Sequence, residues 1–151
     1  MTIAVDFDGT IVEHEYPKIG KPIPFALETL RKLQHEENHR LILWTIREGR
    51  LLQEAVDYCE KNGVYFYACN KNYPEEEWQD GEPRKIGADI FIDDRNIGGL
   101  IDWGTIYKIL KSGNNSMRDF ERIASAVHTF RKKNWMIRLG EAWAKRKGYD
   151  Y

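Results

Sequence analysis

The chain has 151 residues, of which 42% are hydrophobic and 31% charged, and its formal net charge is -1. These values are ordinary for a globular protein, so they argue against a disordered chain and against general affinity for nucleic acid. No apolar run approaches the roughly 20 residues of a membrane-spanning helix, and no signal-peptide pattern is present. Two cysteines, Cys59 and Cys69, lack the spacing of a redox or disulfide motif, so we expect a cytoplasmic protein without a membrane partner.

Short apolar runs alternate with helical patterns over residues 1–110. The predicted strands are 2–6, 40–45, 64–69 and 88–92, and the predicted helices are 23–37, 50–62 and 101–110. Residues 11–23 predict a loop or short hairpin, and residues 70–84 predict a polar loop long enough to have a function. Because strands that alternate with helices form right-handed crossovers, we expect an α/β fold with a doubly wound, Rossmann-like parallel sheet.

The C-terminal segment has a different character. Residues 116–133 and 135–147 both have apolar residues at helical spacing, and from Ser116 onward nine Lys or Arg oppose four Asp or Glu. We therefore divide the chain into a catalytic core at 1–113 and a helical C-terminal extension at 114–151. The extension is expected to pack on the sheet, to form a homo-oligomer contact or to cover an anionic substrate.

Two aspartates follow the apolar residues of the first predicted strand. The stretch 3–10 reads Ile-Ala-Val-Asp-Phe-Asp-Gly-Thr, and in an extended strand Asp6 and Asp8 would share one face. Two like charges so close together are costly to bury unless a cation or a proton offsets them. The stretch therefore predicts a metal, a shared proton or both. The alternative is a turn in which Asp8 only caps the following backbone.

Other predicted strands bring polar residues to the same edge of the sheet. The second strand ends at Thr45, with Arg47 two residues later, and Asp93 and Asp94 directly follow the fourth. The carboxyl ends of parallel strands lie side by side, so we expect these groups to share one crevice, with Lys85 nearby. Oxygen ligands of this kind suit Mg²⁺, which often binds a substrate phosphate as well.

The order of these residues resembles that of the haloacid dehalogenase superfamily. Asp6-Phe7-Asp8-Gly9-Thr10 matches its DxDGT signature, Thr45 its second motif, Lys85 its third and Asp93-Asp94 its acidic fourth. The resemblance extends over residues 2–100 and gives no account of the C-terminal extension. It implies the Rossmann-like core of that superfamily.

The resemblance also implies a mechanism and the residues that perform it. Asp6 would attack phosphorus to form an aspartyl-phosphate, and Asp8 would act first as general acid and then as base. Mg²⁺ would be held by Asp6, by the backbone carbonyl of Asp8 and by Asp93, with Asp94 as a further or outer ligand. The implied phosphate-binding residues are Thr45, Lys85 (with Lys71 as its rival) and Arg47, which could equally be an exposed arginine at a helix start.

The gaps between the motifs leave no room for the cap domain that many superfamily members carry. An aspartate at position 8 resembles the phosphatases and phosphomutases of the superfamily. The resemblance thus implies a small capless Mg²⁺-dependent phosphomonoester hydrolase whose substrate is a small phosphate ester, either a nucleotide or a sugar phosphate. The alternatives are a phosphomutase and a catalytically silent module that binds phosphate or metal and interacts through its basic tail.

Overall fold

The computed structural model describes residues 1–111. The chain divides into two compact units, Met1–Lys108 and Ile109–Tyr151. The predicted helices at 116–133 and 135–147 lie outside the described residues. The helical extension at 114–151 and its three expected roles therefore remain predictions.

The described residues contain four strands and three helices. In chain order these are β1 (Thr2–Val5), α1 (Ala26–His35), β2 (Arg40–Leu43), α2 (Gly49–Lys61), β3 (Ala68–Cys69), β4 (Ile90–Ile92) and α3 (Trp103–Leu110). Each corresponds to an element predicted from the sequence, and most are shorter than predicted. Among the described helices, none has the length and apolarity to cross a bilayer.

The strands form one parallel sheet in the order β3-β2-β1-β4. At its carboxyl edge Val5 of β1 is aligned with Leu43 of β2 and with Ile92 of β4. The segments that follow these three strands therefore start side by side, as the alternating pattern predicts. The architecture is α/β with an all-parallel sheet, consistent with a Rossmann-like fold.

Both faces of the two inner strands are covered. Successive residues of a strand point to opposite faces, and Ile3, Ala4 and Val5 are at most 1% exposed. The equivalent run in β2, residues 41–43, is buried to the same extent. This pattern explains why these strands read as continuous apolar runs rather than as alternating ones.

β3 begins at Ala68, whereas the apolar pattern predicted a strand from Val64. The amide of Val64 donates to the carbonyl of Cys59 at 3.0 Å, at the end of α2. The amide of Tyr65 donates to the side-chain oxygen of Gln34 at 3.1 Å. Since both amides are bonded to helix residues, the chain joins the sheet only further along. The predicted strand was too long for this reason.

Candidate active site

A tight turn follows β1 and begins the site. The amide of Ile11 donates to the carbonyl of Phe7 at 2.9 Å, and the amide of Gly9 donates to Val12 at 2.7 Å. Gly9 has a φ of 88°, and a Cβ at this position would overlap the carboxylate of Asp94. Only glycine satisfies both conditions without strain. The turn thus permits β1 and the segment after β4 to approach closely.

Three carboxylates meet at this edge of the sheet. Asp6, Asp93 and Asp94, which we name the acidic cluster, each offer an oxygen, and these oxygens all lie within 4.8 Å of one another. All three residues are half-buried. The sequence predicted that strand ends would bring these residues together, and the structure does so.

The acidic cluster is electrostatically unfavourable by itself. The pKa of Asp6 is raised from 3.8 to about 6, chiefly by burial and further by the charges of Asp93, Asp94 and Asp8, against a lowering by the backbone of Phe7. One oxygen of Asp94, Oδ1, is buried without a hydrogen-bond partner. A hard divalent cation would relieve both features, so the donor set fits Mg²⁺.

Thr10 connects the two halves of the acidic cluster. Its hydroxyl donates to Oδ2 of Asp6 at 3.4 Å and accepts from the amide of Asp94 at 3.0 Å. Its carbonyl accepts from the indole of Trp103 at 3.0 Å. The residue is fully buried. Thr10 therefore holds the segment after β4 against the turn after β1.

Thr45 lies just beyond β2, and its backbone is fixed by Asn70. The amide of Thr45 donates to Oδ1 of Asn70 at 2.8 Å, and its hydroxyl accepts from the amide of Arg47 at 3.2 Å. Asn70 follows β3 with a φ of 55°, a conformation that asparagine tolerates better than most residues. The hydroxyl hydrogen of Thr45 remains available for a ligand.

Asp8 and Arg47 form a buried ion pair. Arg47 donates from Nε to Oδ2 and from Nη2 to Oδ1 of Asp8, both at 2.7 Å. The two side chains are 4% and 0% exposed. Arg47 also donates to the carbonyls of Pro17 and Lys18 at 3.0 and 2.9 Å, and its guanidinium lies 4.9 Å from the ring of Phe7. The guanidinium is thus bonded on several sides within the protein.

This placement differs from both interpretations of Arg47 made from the sequence. It is neither an exposed residue at the start of α2 nor a lining residue of the cavity beside Asp6. It instead orients Asp8 and binds the hairpin that follows β1. That hairpin is closed by hydrogen bonds from Glu13 to Lys21 and from Ile23 to Ile11, at 2.7 and 2.9 Å.

A cavity of about 190 Å³, which we name the first cavity, opens at this edge. Four predicted site residues line it, together with side chains that the sequence motifs did not assign to the site. The lining residues are Asp6, Asp8, His14, Trp44, Thr45, Ile46, Asp93 and Arg95. The first cavity therefore brings carboxylates, a hydroxyl and a cation together.

The two candidate lysines lie elsewhere. Lys85 is exposed, with Nζ 5.8 Å from the ring centroid of Phe91, and it does not line the first cavity. Lys71 lines a neighbouring cavity of about 310 Å³, the second cavity. The cationic side chain that lines the first cavity is Arg95, whose amide donates to Oδ1 of Asp93 at 2.7 Å.

Comparison with solved structures finds a conserved protein coded by a locus of Bacteroides thetaiotaomicron. The two chains are 60% identical, the TM-score is 0.69, and the match covers 79% of this chain and 95% of the other. This chain belongs to the same family as the Bacteroides protein. No family model and no curated protein matches the present chain.

In this member of the family, four residues at the site had no assigned role in the sequence prediction. Thr10 and Asn70 each follow a strand, where Thr and Asn commonly bind neighbouring backbone, so position alone could have indicated them. His14 and Arg95 belong to none of the predicted motifs, and nothing in their spacing distinguished them. Their place at the first cavity depends on how the segments after β1 and β4 fold.

Proposed function

We propose that the protein is a Mg²⁺-dependent phosphomonoester hydrolase of the haloacid dehalogenase type, with Asp6 as its nucleophile. The observation that carries the proposal is that Asp6 and Asp93 of the acidic cluster line the first cavity together with Thr45. Carboxylates suit a divalent cation, and a hydroxyl and Arg95 beside them suit a phosphate. The proposal includes a doubly wound core and a cytoplasmic location. The free thiols of Cys59 and Cys69 favour that location.

Asp6, Asp93 and Asp94 are the residues that would hold Mg²⁺. Two features support this assignment, namely the raised pKa of Asp6 and the unpartnered oxygen of Asp94. When bound, the ion would neutralise phosphate charge that otherwise repels the approach of a carboxylate.

Asp6 would attack the phosphorus of a phosphate monoester. A bond forms between a carboxylate oxygen of Asp6 and phosphorus, and the bond to the leaving oxygen breaks. Water then attacks the aspartyl-phosphate, which regenerates the carboxylate and releases inorganic phosphate. Thr45 would donate its hydroxyl hydrogen to a phosphate oxygen, and Arg95 would place positive charge beside it. Lys85 and Lys71 remain candidates for a further phosphate contact.

Asp8 would serve as the general acid and base. It lines the first cavity, so its carboxyl group can reach a leaving oxygen there. Both of its oxygens accept hydrogen bonds from Arg47, which fixes the orientation of the group. To act as general acid, Asp8 would carry a proton on one oxygen in place of one of these hydrogen bonds and would donate it to the leaving oxygen. As general base it would then take a proton from the attacking water, which restores the acid for the next turnover.

The test is release of inorganic phosphate from p-nitrophenyl phosphate with Mg²⁺. We expect turnover that EDTA abolishes and that Asp6→Asn lowers by at least about a thousandfold, since no nucleophile remains. Asp57→Asn, on the exposed face of α2, is the matched control and should retain activity. Full activity of Asp6→Asn would rule out the aspartyl-phosphate mechanism. Net phosphate release from a sugar phosphate would separate hydrolysis from the phosphomutase alternative.

A further inference from the structure

The second cavity opens beside the first, and of its lining residues only Thr45 and Lys71 enter the mechanism above. The two cavities share Trp44, Thr45 and Ile46, the three residues that directly follow β2. The rest of the second cavity is formed by Glu48 and by residues of the segment 70–86. A group attached directly to a phosphate in the first cavity could therefore occupy the second without a spacer.

Apolar side chains form part of the wall of the second cavity. Trp44 and Ile86 belong to the cluster that packs on the sheet, so this side of the wall is fixed by the core. Trp78 lies in the loop 70–84, and its indole donates to the carbonyl of Glu82 at 3.1 Å. The guanidinium of Arg84 lies 4.2 Å from the centroid of the Trp78 ring. The wall thus includes aromatic rings held by defined contacts. Aromatic side chains are common in the walls of ligand cavities.

Negative charges outnumber positive charges in the lining of the second cavity. The charged lining residues are Glu48, Glu76, Glu82, Lys71 and Arg84. This balance disfavours a second phosphate or another anionic group in the cavity. The group that binds there should be uncharged and should satisfy carboxylates, which accept hydrogen bonds and donate none.

The amide oxygens of both asparagines in the second cavity already accept hydrogen bonds. Oδ1 of Asn72 accepts from the amide of Gly87 at 2.7 Å, and its Nδ2 donates to Glu76 at 2.6 Å. Oδ1 of Asn70 accepts from Thr45. The wall therefore offers both acceptors, on Glu48 and Glu82, and donors, on Lys71 and Arg84. Sugar hydroxyls suit such a mixed wall, because each hydroxyl can rotate to donate to a carboxylate or to accept from a cation.

We propose that the second cavity binds the sugar portion of a sugar monophosphate whose phosphate lies in the first cavity. The proposal rests on the proposed function, because it assigns the leaving group of that reaction. Glu48 and Glu82 would accept hydrogen bonds from the hydroxyls, and Trp44 and Trp78 would contact the apolar faces of the sugar. The selective residues are thus in the loop after β3 and in the segment after β2.

The experiment compares three monoesters, namely p-nitrophenyl phosphate, a hexose 6-phosphate and a nucleoside 5′-monophosphate. We expect the highest kcat/KM for the hexose phosphate. Glu48→Gln should lower that value by about tenfold, mainly through KM, and should leave p-nitrophenyl phosphate within about twofold. Glu48 precedes α2 without a side-chain capping bond, so this change spares the helix. Trp78→Ala should likewise lower kcat/KM for the hexose phosphate.

The matched control is Glu75→Gln, an exposed carboxylate of the same loop outside the lining of the second cavity. It should leave all three reactions unchanged. A preference for the nucleoside monophosphate, or an equal loss on all substrates in Glu48→Gln, would overturn the sugar site.

If the wild type hydrolyses none of the three esters, the proposed function fails, and the sugar site is then tested by binding. Calorimetric titration with the hexose phosphate and with inorganic phosphate, both with Mg²⁺, gives the comparison. Tighter binding of the hexose phosphate that Glu48→Gln removes would support the site. Equal affinity for the two ligands would overturn it.

Discussion

Arg47 is a fully buried arginine whose charge is offset inside the protein by Asp8. Its neighbours in the chain give no sign of burial, because the groups that surround it come from the turn after β1 and from the hairpin. Its partner Asp8 lies 39 positions earlier in the chain. A buried ion pair adds little net stability to the fold, because both charges have been removed from water. Removing the arginine alone is nevertheless costly, because it leaves a buried carboxylate without a partner.

We predict that Arg47→Met destabilises the protein by about 3–5 kcal/mol, because the carboxylate of Asp8 stays buried without its partner. Urea unfolding measures the loss. The double variant Arg47→Met/Asp8→Asn should lose less than the sum of the two single variants.

The matched control is the exposed pair of Arg50 and Glu54 on α2, with side chains 81% and 40% exposed. Arg50→Met should change the free energy of unfolding by no more than about 1 kcal/mol. Equal losses at positions 47 and 50, or additive losses in the double variant, would contradict the assigned role of the buried pair.

At the scale of elements, the turn after β1 determines whether the acidic cluster can form. We predict that Gly9→Ala both destabilises the fold and weakens Mg²⁺ binding. The change places a side chain at positive φ and against the carboxylate of Asp94. Thermal unfolding with and without Mg²⁺ measures both effects.

Gly81→Ala separates the two causes. Gly81 has a φ of 97°, close to the 88° of Gly9, and a Cβ there would meet nothing within 4 Å. It should share the backbone strain, about 1–2 kcal/mol, and should keep the full stabilisation by Mg²⁺. An equal response of the two variants to Mg²⁺ would show that the contact with Asp94 is irrelevant.

The elements themselves were largely predictable from the sequence, and their contacts were not. Apolar periodicity indicated each described strand and helix, because burial on one or both faces fixes the spacing of apolar residues. The start of β3 was misplaced because a side chain of α1, Gln34, takes the amide that a longer strand would use. Strand ends predicted the acidic cluster, since parallel topology alone brings them together. The position of Lys85 depends on packing against Phe91, which no local pattern records.

At the scale of the whole molecule, the acidic cluster links stability to pH. The native pKa of Asp6 is about 6, above its ordinary value of 3.8, so between these values the folded state binds more protons than the unfolded state. The stabilisation that protonated Asp6 gives the folded state is therefore complete below about pH 3.8 and is lost as the pH rises through about 6.

We predict that in EDTA Asp6→Asn unfolds at a higher temperature than the wild type at pH 7, and that the difference shrinks towards pH 4. Mg²⁺ should raise the wild-type Tm more at pH 7 than at pH 5, because protons compete for the same oxygens. Calorimetry over this range measures both. Asp57→Asn is again the control and should follow the wild type. Identical melting temperatures of the wild type and Asp6→Asn at pH 7 in EDTA would show that the charge of Asp6 does not destabilise the folded state.

The hydrogen bond from the amide of Asp94 to Thr10 spans 84 positions of the chain. On a ribosome, β1 leaves the exit tunnel first and can pair with β2 long before β4 has been made. Until β4 arrives, one edge of β1 stays open to pairing with another chain, and Asp6 has none of its acidic neighbours from the later segment. Synthesis of β4 therefore closes this edge of β1 and assembles the acidic cluster in a single event.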